Sequence, residues 1–528
     1  MRYRAKLARR PVRNERRHHS QWGAAKEVVT QTLADLLIRT DKRRSAIILP
    51  EDGTEVCYGS LSDQIEPLAA RLRQSELEPG MVIAIALPNG LEYLVSFLSA
   101  TRARLVAAPM NPSYKAEEFR FFLKDSEARI VITSPEVDPV HEAARDLSLP
   151  VWTAARNSTG EVQLSGSGFN STTNNAPDAP LPGDIALLMH TSGTTGRPKA
   201  VPLTHANVMT SARNISAHYR LSPADTGLVV MPLFHGHGLI GATLSALFAG
   251  SRIALPARFS ACAFWPLVKA HDVTWYSAVP TIHQILLVRA ASDDAPARGG
   301  FRFVRSCSAA LAPATMKQLE DRFGAPVIEA YAMTEASHQV TSNPLPPGAR
   351  KPGSVGPGTN VDVAIMGDDG KLLQVGTQGE VVVRGETVMR GYYRNPEANR
   401  AAFTDGWFRT GDLGVLDGDG YLRITGRIKE LINRGGEKIS PMEVDAVLLS
   451  DPAVAEAASF AVPDPIYGEE IQAAVVPRTD VTVAELQEYC RGRLADFKVP
   501  KVIHFVKDLP KDATGKVERF RLTALFSK

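Results

Sequence analysis

The sequence predicts an α/β protein, with a large N-terminal domain of doubly wound α/β layers and a β subdomain, followed by a small α+β domain. Three observations carry that reading. From about residue 26 to 326, short β-rich runs such as "VIAIALP" and "RIVITS" alternate with helix-spaced segments such as "LEYLVSFLSATRA". Between about 352 and 425 the text becomes glycine-punctuated strands ("VDVAIMGDDGKLLQ", "GEVVVRG", "YLRITG"). Beyond that, strand runs "ASFAVP", "IQAAVVP" and "VIHFV" surround two helix-start signatures.

Size and charge narrow the class before any motif is read. With 528 residues, 44% hydrophobic and 22% charged, the chain can bury large cores, which excludes disorder for most of it. A net charge of +3 gives no reason to expect nucleic acid or an anionic membrane as the main partner, so small molecules are the default. Cys57, Cys262, Cys307 and Cys490 lie far apart without CxxC pairing, which fits a reducing compartment and argues against zinc. The best apolar stretch, "GLIGATLSALFAG", is too short for a membrane span and broken by small and polar residues, and reads as a buried helix.

In chain order, residues 1–25 open with "MRYRAKLARRPVRNERRHH", arginine-rich with Glu15 as its one acid, predicting a disordered tail, with an organelle transit segment as the alternative. Residues from about 26 to 155 form the first α/β layer, and the polar stretch "ARNSTGEVQLSGSGFNSTTNNAPDAPLPGD" reads as a loop. From Asp184 to about Pro326 a second doubly wound layer is expected. Asp369-Gly370 and Asp419-Gly420 are hairpin signals in the β subdomain. Ser440 with Glu443, and Thr482 with Glu485, match the capping box, in which hydroxyl and glutamate each satisfy a free backbone N–H. The expected domains are 26–428, the large one, and 429–528, a compact α+β unit.

"HTSGTTGRPKA" follows a strand pattern and concentrates Thr191, Ser192, Gly193, Thr194, Thr195, Gly196 and Lys199. Glycines let backbone N–H groups approach an anion, hydroxyls donate, and a lysine adds a cation, so this is a phosphate loop in chemistry. It is not the Walker form, since Arg197-Pro198 intervene before Lys199 and "KAVPLTH" continues extended.

With "TSGTTGRPK", "YAMTEA", "GWFRTGDLG", "GRIKELINRGGEKISPMEVD" and "LPKDATGK" in this order, the chain resembles the adenylate-forming superfamily over about residues 26 to 525. The resemblance implies two steps: a carboxylate attacks the α-phosphate of ATP, and a thiolate then displaces AMP from the acyl-AMP. It implies that the Thr191 to Lys199 loop holds the β- and γ-phosphates, that Glu335 binds Mg²⁺, that Thr334 meets the α-phosphate and that Tyr331 stacks on adenine. Ser308, Ala309 and Ala310 of "SCSAAL" would form an adenine-facing strand. Asp412 would accept from ribose hydroxyls, and Arg427 would fork onto phosphate or ribose oxygens. Lys516 would reach the α-phosphate and acyl oxygen as charge develops. Lys429 would be the hinge on which the small, mobile C-terminal domain swings, exchanging Lys516 for Gly435 and Gly436 at the pantetheine tunnel of coenzyme A (CoA). Ordinary readings exist for each alone: Gly-Asp is usually a turn, and a lysine beside Thr-Gly is usually exposed.

The same resemblance implies an acid pocket lined by "PLFHGHGL", "RSCSAAL" and the residues just after "MTEA", here supplying His235, His237, Ser306, Ser308, Ser337 and His338. A polar, narrow pocket suits a small acid whose far end is itself polar, because a second carboxylate is not buried without compensating donors. His338 as a mere support of the Mg²⁺ turn is the bland alternative. "EAYAMTEASHQVTSNPLPPG", "KPGSVG" and "VPDPIYGEEIQAAVVPR" are very similar to the oxalate:CoA ligase branch of the superfamily, which implies oxalate as the acid. Coumarate-type or medium-chain acyl-CoA synthetases are the alternative, and an RNA-binding protein with a basic tail and an inactive ligase fold is the reading from another class. No carrier-protein domain is expected after Lys528. A cytoplasmic or peroxisomal site is expected, the chain closing one leucine short of S-K-L.

Overall fold

A computed structural model of the chain describes residues 31–37, 40–157, 160–169, 177–191, 198–290, 300–512 and 514–527. The 1–25 tail and loop residues Ser192, Gly193, Thr194, Thr195 and Gly196 lie outside the described residues.

Two large sheets form the bulk of the chain. The seven-stranded sheet runs Val162–Gly166, Val151–Arg156, Ala128–Thr133, Val82–Ala86, Val106–Pro109, Ile185–His190, Ala200–Thr204. The eight-stranded sheet runs His338–Ser342, Val327–Met333, Phe303–Ser306, Trp275–Ala278, Thr226–Leu228, Arg252–Ala254, Ser45–Leu49, Thr54–Cys57. Apolar side chains of both sheets, among them Ile83, Leu187, Phe303 and Trp275, belong to one buried cluster, and the apolar residues of helix Leu91–Arg102 pack within it.

This order corrects two expectations. Strands Ile185–His190 and Ala200–Thr204 do not open the second layer; they complete the first, while Ser45–Leu49 and Thr54–Cys57 from the first stretch close the edge of the second. Local alternation specifies a strand but not its partner, which is a non-local choice. Within the stretch read as a loop, Val162–Gly166 is an antiparallel edge strand on Val151–Arg156; Val162 and Leu164 alternate inward, a short period-two signal that the surrounding Gly and Ser obscured.

The β subdomain is five-stranded, ordered Asp362–Met366, Gly379–Arg384, Trp407–Leu416, Phe403–Thr404, with Leu422–Arg427 also on Trp407–Leu416. Both hairpin signals hold: Gly370 and Gly420 adopt φ of +78° and +81°, and each closes its turn by donating to the residue three before. After the 3₁₀ turn Ile428–Glu430, which contains Lys429, a further five-stranded sheet (Glu437–Ile439, Ile432–Arg434, Gly468–Pro477, Val454–Asp464, with Val502–Phe505 on Gly468–Pro477) carries its own buried clusters.

Thr482 caps its helix as expected: its Oγ1 accepts from Glu485 N at 3.3 Å and Glu485 Oε2 accepts from Thr482 N at 2.8 Å. Ser440 does not form the second box. Its hydroxyl is turned towards Gly426 and is buried without a partner among the described residues, while Glu443 accepts from Lys498 Nζ at 2.8 Å. A tertiary ion pair has taken the glutamate that the local pattern assigned to the cap.

The apolar stretch read as a buried helix is buried, but its first seven residues belong to a π-helix, His237–Leu244, continued by the α-helical turn Ser245–Phe248. All four cysteines are free. Among the described residues no helix is long and apolar enough to cross a membrane.

Candidate active site

Parallel strands Thr226–Leu228, Trp275–Ala278, Phe303–Ser306 and Val327–Met333 end together, and the segments leaving their carboxyl ends carry His235 and His237, Thr281, Ser308, and Thr334 with Glu335. The crevice beyond the strand ends is where open α/β sheets bind ligands.

Where the nucleotide is expected, the loop between Thr191 and Lys199 joins antiparallel strands, its described ends tied by Thr191 N to Lys199 O at 3.0 Å. Lys199 Nζ lies 4.5 Å over the ring of Tyr392, whose hydroxyl donates to Glu335 Oε1 at 3.0 Å. Met389 N donates to Glu335 O and Tyr393 N to Ala200 O, so segment 389–393 stitches the loop's lysine end to the Thr334–Ala336 turn. Tyr392 was missed at the sequence level, since "GYYRNP" carries no chemistry until its phenol is seen on the glutamate. Burial pushes the Glu335 carboxyl up, opposed by the Tyr392 hydrogen bond.

Tyr331 hydroxyl donates to Asp412 Oδ2 and Arg427 Nε to Asp412 Oδ1 at 2.8 Å, the last two facing each other across paired strands. Each carboxylate oxygen keeps one lone pair for another donor. Ala309 and Ala310 are exposed in the turn after strand Phe303–Ser306, not on an adenine-facing strand; the strand ends where Ser308 takes a left-handed φ of +73°.

Lys516 is brought to this group. Burial lowers its ammonium from the usual lysine range, Arg427 adds to the shift, and Glu430, Asp412 and Asp512 oppose it. Neighbouring Gly515 O accepts from Thr281 Oγ1 at 3.4 Å, and a Cβ on Gly515 would stand 2.9 Å from that oxygen, so the loop lies directly on the crevice. Gly435 and Gly436 are not there. They form the exposed tip between Ile432–Arg434 and Glu437–Ile439, at φ of +60° and +97°, with Gly435 against Tyr467.

Where the acid is expected, His237 and His338 stack at 5.2 Å between ring centroids. Behind them lies Arg305, a residue with no exposed surface. Its Nε donates to Tyr219 hydroxyl at 2.9 Å, Nη1 to Ser277 Oγ at 3.0 Å, and Nη2 to His338 Nε2 and Gln339 Oε1 at 2.9 Å each. Every partner is neutral, and among the described residues no carboxylate pairs with it. His237 continues the network, with Nε2 at 2.6 Å from Ser277 Oγ and Nδ1 at 3.0 Å from Ser308 Oγ. Burial, then Arg305, hold both imidazoles well below the usual histidine range, so both are neutral; burial also lowers His235.

Ser306 does not join these residues. Arg305 pairs with Ser277 and Ile328 in register, Ser306 with Ala278 and Glu329, and strand alternation sends the two sets to opposite faces. The Ser306 hydroxyl is buried on the Glu329 face without a partner among the described residues. Ser337 turns away as well, donating to Thr387 O at 2.8 Å. Arg305 was missed because a charge in "FRFVRSC" reads as surface; the available signal was an arginine inside a run whose neighbours are core-bound, since arginine is almost never fully buried unless paired.

The profile of AMP-binding enzymes matches residues 38–393, and that of the AMP-binding enzyme C-terminal domain matches 443–516. An oxalate–CoA ligase of Arabidopsis thaliana is 50% identical, covering 88% of this chain and 92% of its own. An oxalate–CoA ligase of Saccharomyces cerevisiae is 42% identical, covering 92% and 95%. Among solved structures, ATP-bound MatB from Rhodopseudomonas palustris superposes with a TM-score of 0.86 at 31% identity, covering 94% of this chain and 99% of that one.

Proposed function

The chain belongs to the family of AMP-binding enzymes, and from that premise we propose that it ligates oxalate to CoA through oxalyl-AMP, releasing pyrophosphate and then AMP. It is an AMP-forming acid–thiol ligase by its relatives; the choice of oxalate rests on Arg305. An acid places one carboxylate at the α-phosphate. An apolar far end would leave a guanidinium buried with neutral partners alone, at a cost of several kcal/mol, whereas a second carboxylate supplies the missing countercharge.

Lys199 and the loop before it take the terminal phosphates, Asp412 takes ribose hydroxyls, Tyr331 lies along the base and Thr334 meets the α-phosphate. Lys516 neutralises charge as it develops between acyl oxygen and α-phosphate, a stabilisation made largest by exclusion of water. The residues fit Mg²⁺. Glu335 offers a hard oxygen, and only its Oε1 carries a side-chain bond among the described residues. No group of three or more potential ligands surrounds it there, the arrangement of an ion held by one carboxylate plus substrate phosphates. When bound, that ion supplies charge neutralisation to the phosphates.

We place the lid boundary at Lys429, with rotation about it bringing Gly435 and Gly436 to the thiol arm of CoA. Four unpaired cysteines suit the cytoplasm or a peroxisome.

The test is AMP release with oxalate, malonate, sulfoacetate, acetate, octanoate and coumarate. Oxalate is expected to lead in kcat/KM. A lead of octanoate or coumarate over oxalate by about tenfold, some 1.4 kcal/mol in transition-state binding, overturns the assignment.

A further inference from the structure

We propose that Arg305 is a positioning residue that fixes the tautomers of His237 and His338, so that the acid pocket presents N–H and O–H donors alone to the far carboxylate. The inference rests on the oxalate reading and goes beyond it: selectivity comes from the direction of a hydrogen-bond relay, set from behind the pocket by a residue that does not touch the acid.

The direction follows from counting hydrogens. A guanidinium has five N–H donors and accepts nothing. Its Nη2 stands 2.9 Å from His338 Nε2, so that nitrogen carries the lone pair and the ring proton sits on Nδ1, for which the described residues provide no partner. The second branch runs through Ser277, whose Oγ accepts from Arg305 Nη1 at 3.0 Å and lies 2.6 Å from His237 Nε2. If His237 Nε2 carried the proton, Ser277 would receive two donors, and its own buried hydrogen would have no acceptor among the described residues. Such an unmade bond is disfavoured by about 1–3 kcal/mol. Ser277 therefore donates to Nε2, its O–H made a stronger donor by the charge behind it. The His237 proton is then on Nδ1, donated to Ser308 Oγ at 3.0 Å, which leaves the Ser308 O–H to donate onward. The Cys307 sulfur beside it is a weak competitor.

Both branches thus begin on one fixed cation and end on donors, Ser308 O–H and His338 Nδ1–H. Gly241 of the π-helix completes the device: a Cβ there would lie 2.3 Å from His338 Nε2, so the bare glycine lets the imidazole seat against Arg305. The left-handed φ of Ser308, +73°, is a strained value for a side chain with a Cβ and holds the terminal hydroxyl at the strand end.

The deciding measurement is ¹⁵N NMR of histidine-labelled full-length protein without substrates, with His237 and His338 assigned through H237Q and H338Q. Nδ1–H tautomers for both rings are expected, against the Nε2–H form that free histidine prefers; Nε2–H at either ring overturns the proposal even if oxalate is the substrate. In R305M the His338 signal is expected to shift to Nε2–H. The kcat/KM for oxalate should fall about 100-fold or more, and that for acetate less than about tenfold, with R305K recovering part of the loss. Equal losses for both acids, with an unchanged tautomer, reduce Arg305 to a structural role. Oxamate, in which an amide replaces one carboxylate, brings donors to donors and should inhibit at least about 100-fold more weakly than oxalate binds. Nδ1–H tautomers in an enzyme that prefers octanoate sink the oxalate reading and leave the relay standing.

Discussion

The two faces of the eight-stranded sheet handle buried charge in opposite ways. On one face Arg305 and on the other Glu329 stand on neighbouring strands one register step apart, each buried without an oppositely charged partner among the described residues. Alternation alone keeps them from pairing. Glu329 receives Gly353 N at 3.2 Å, and burial raises its carboxyl to about 7. A carboxyl can shed its charge by holding a proton; a guanidinium cannot. The lesson is that an unpaired buried acid is compatible with a resting protein, whereas an unpaired buried arginine leaves an electrostatic debt that a ligand settles.

Lys516 sharpens the contrast from a third position, because it is a buried cation delivered by a loop and able to lose its proton. Lys516→Ala should lower ATP–pyrophosphate exchange by about 10³-fold or more while thioester formation from supplied oxalyl-AMP changes less than about tenfold. Equal loss in both half-reactions would break the assignment of Lys516 to adenylation. The next largest effect belongs to the Arg305 face: Gly241→Ala forces the His338 ring off its seat. It should cost about 30-fold or more in kcat/KM for oxalate, with the KM for ATP unchanged within about twofold. A matching rise in the KM for ATP would show a general collapse of the crevice instead.

The smallest effect is one of stability, on the Glu329 face. The folded carboxyl, at about 7 against an ordinary 4.5, keeps its proton longer than the unfolded chain does. Stability contributed by this group is therefore complete below about pH 4.5 and is lost as pH rises to about 7, a decline of about 2–3 kcal/mol. Glu329→Gln should flatten that decline in urea titrations at pH 5 and pH 8. Parallel pH slopes for the two proteins would remove Glu329 from the account.

The residues expected on the nucleotide side come as contiguous strings, "YAMTEA" and "RTGDLG", in which the chain neighbours of Glu335 and Asp412 single them out. The acid side was only half legible. His237, Ser308 and His338 were readable as polar residues in a place that usually holds apolar ones, but Arg305 draws its meaning from lacking a partner, a three-dimensional fact. Ser306 was misassigned for the converse reason, since adjacency to Arg305 in the chain means the opposite face in a strand. Ser440 and Thr482 show the same boundary: identical local signatures, one overruled by Lys498. Sheet membership of Ile185–His190 was beyond local pattern altogether.

The π-helix His237–Leu244 has a consequence best put as arithmetic of chain length. Its i→i+5 bonding holds one more residue than an α-helical turn would. Deleting one residue here lets an α-helix form with its flanks in register, whereas α-helical winding with every residue kept would swing everything before it by roughly 100°, the angle between successive α-helical residues. His237 would then leave Ser277 and Ser308 with no side chain in the pocket having been changed. The aim of the imidazole is thus encoded in a count as well as in a composition, and a survey of substitutions would pass over it; a survey of deletions would find it.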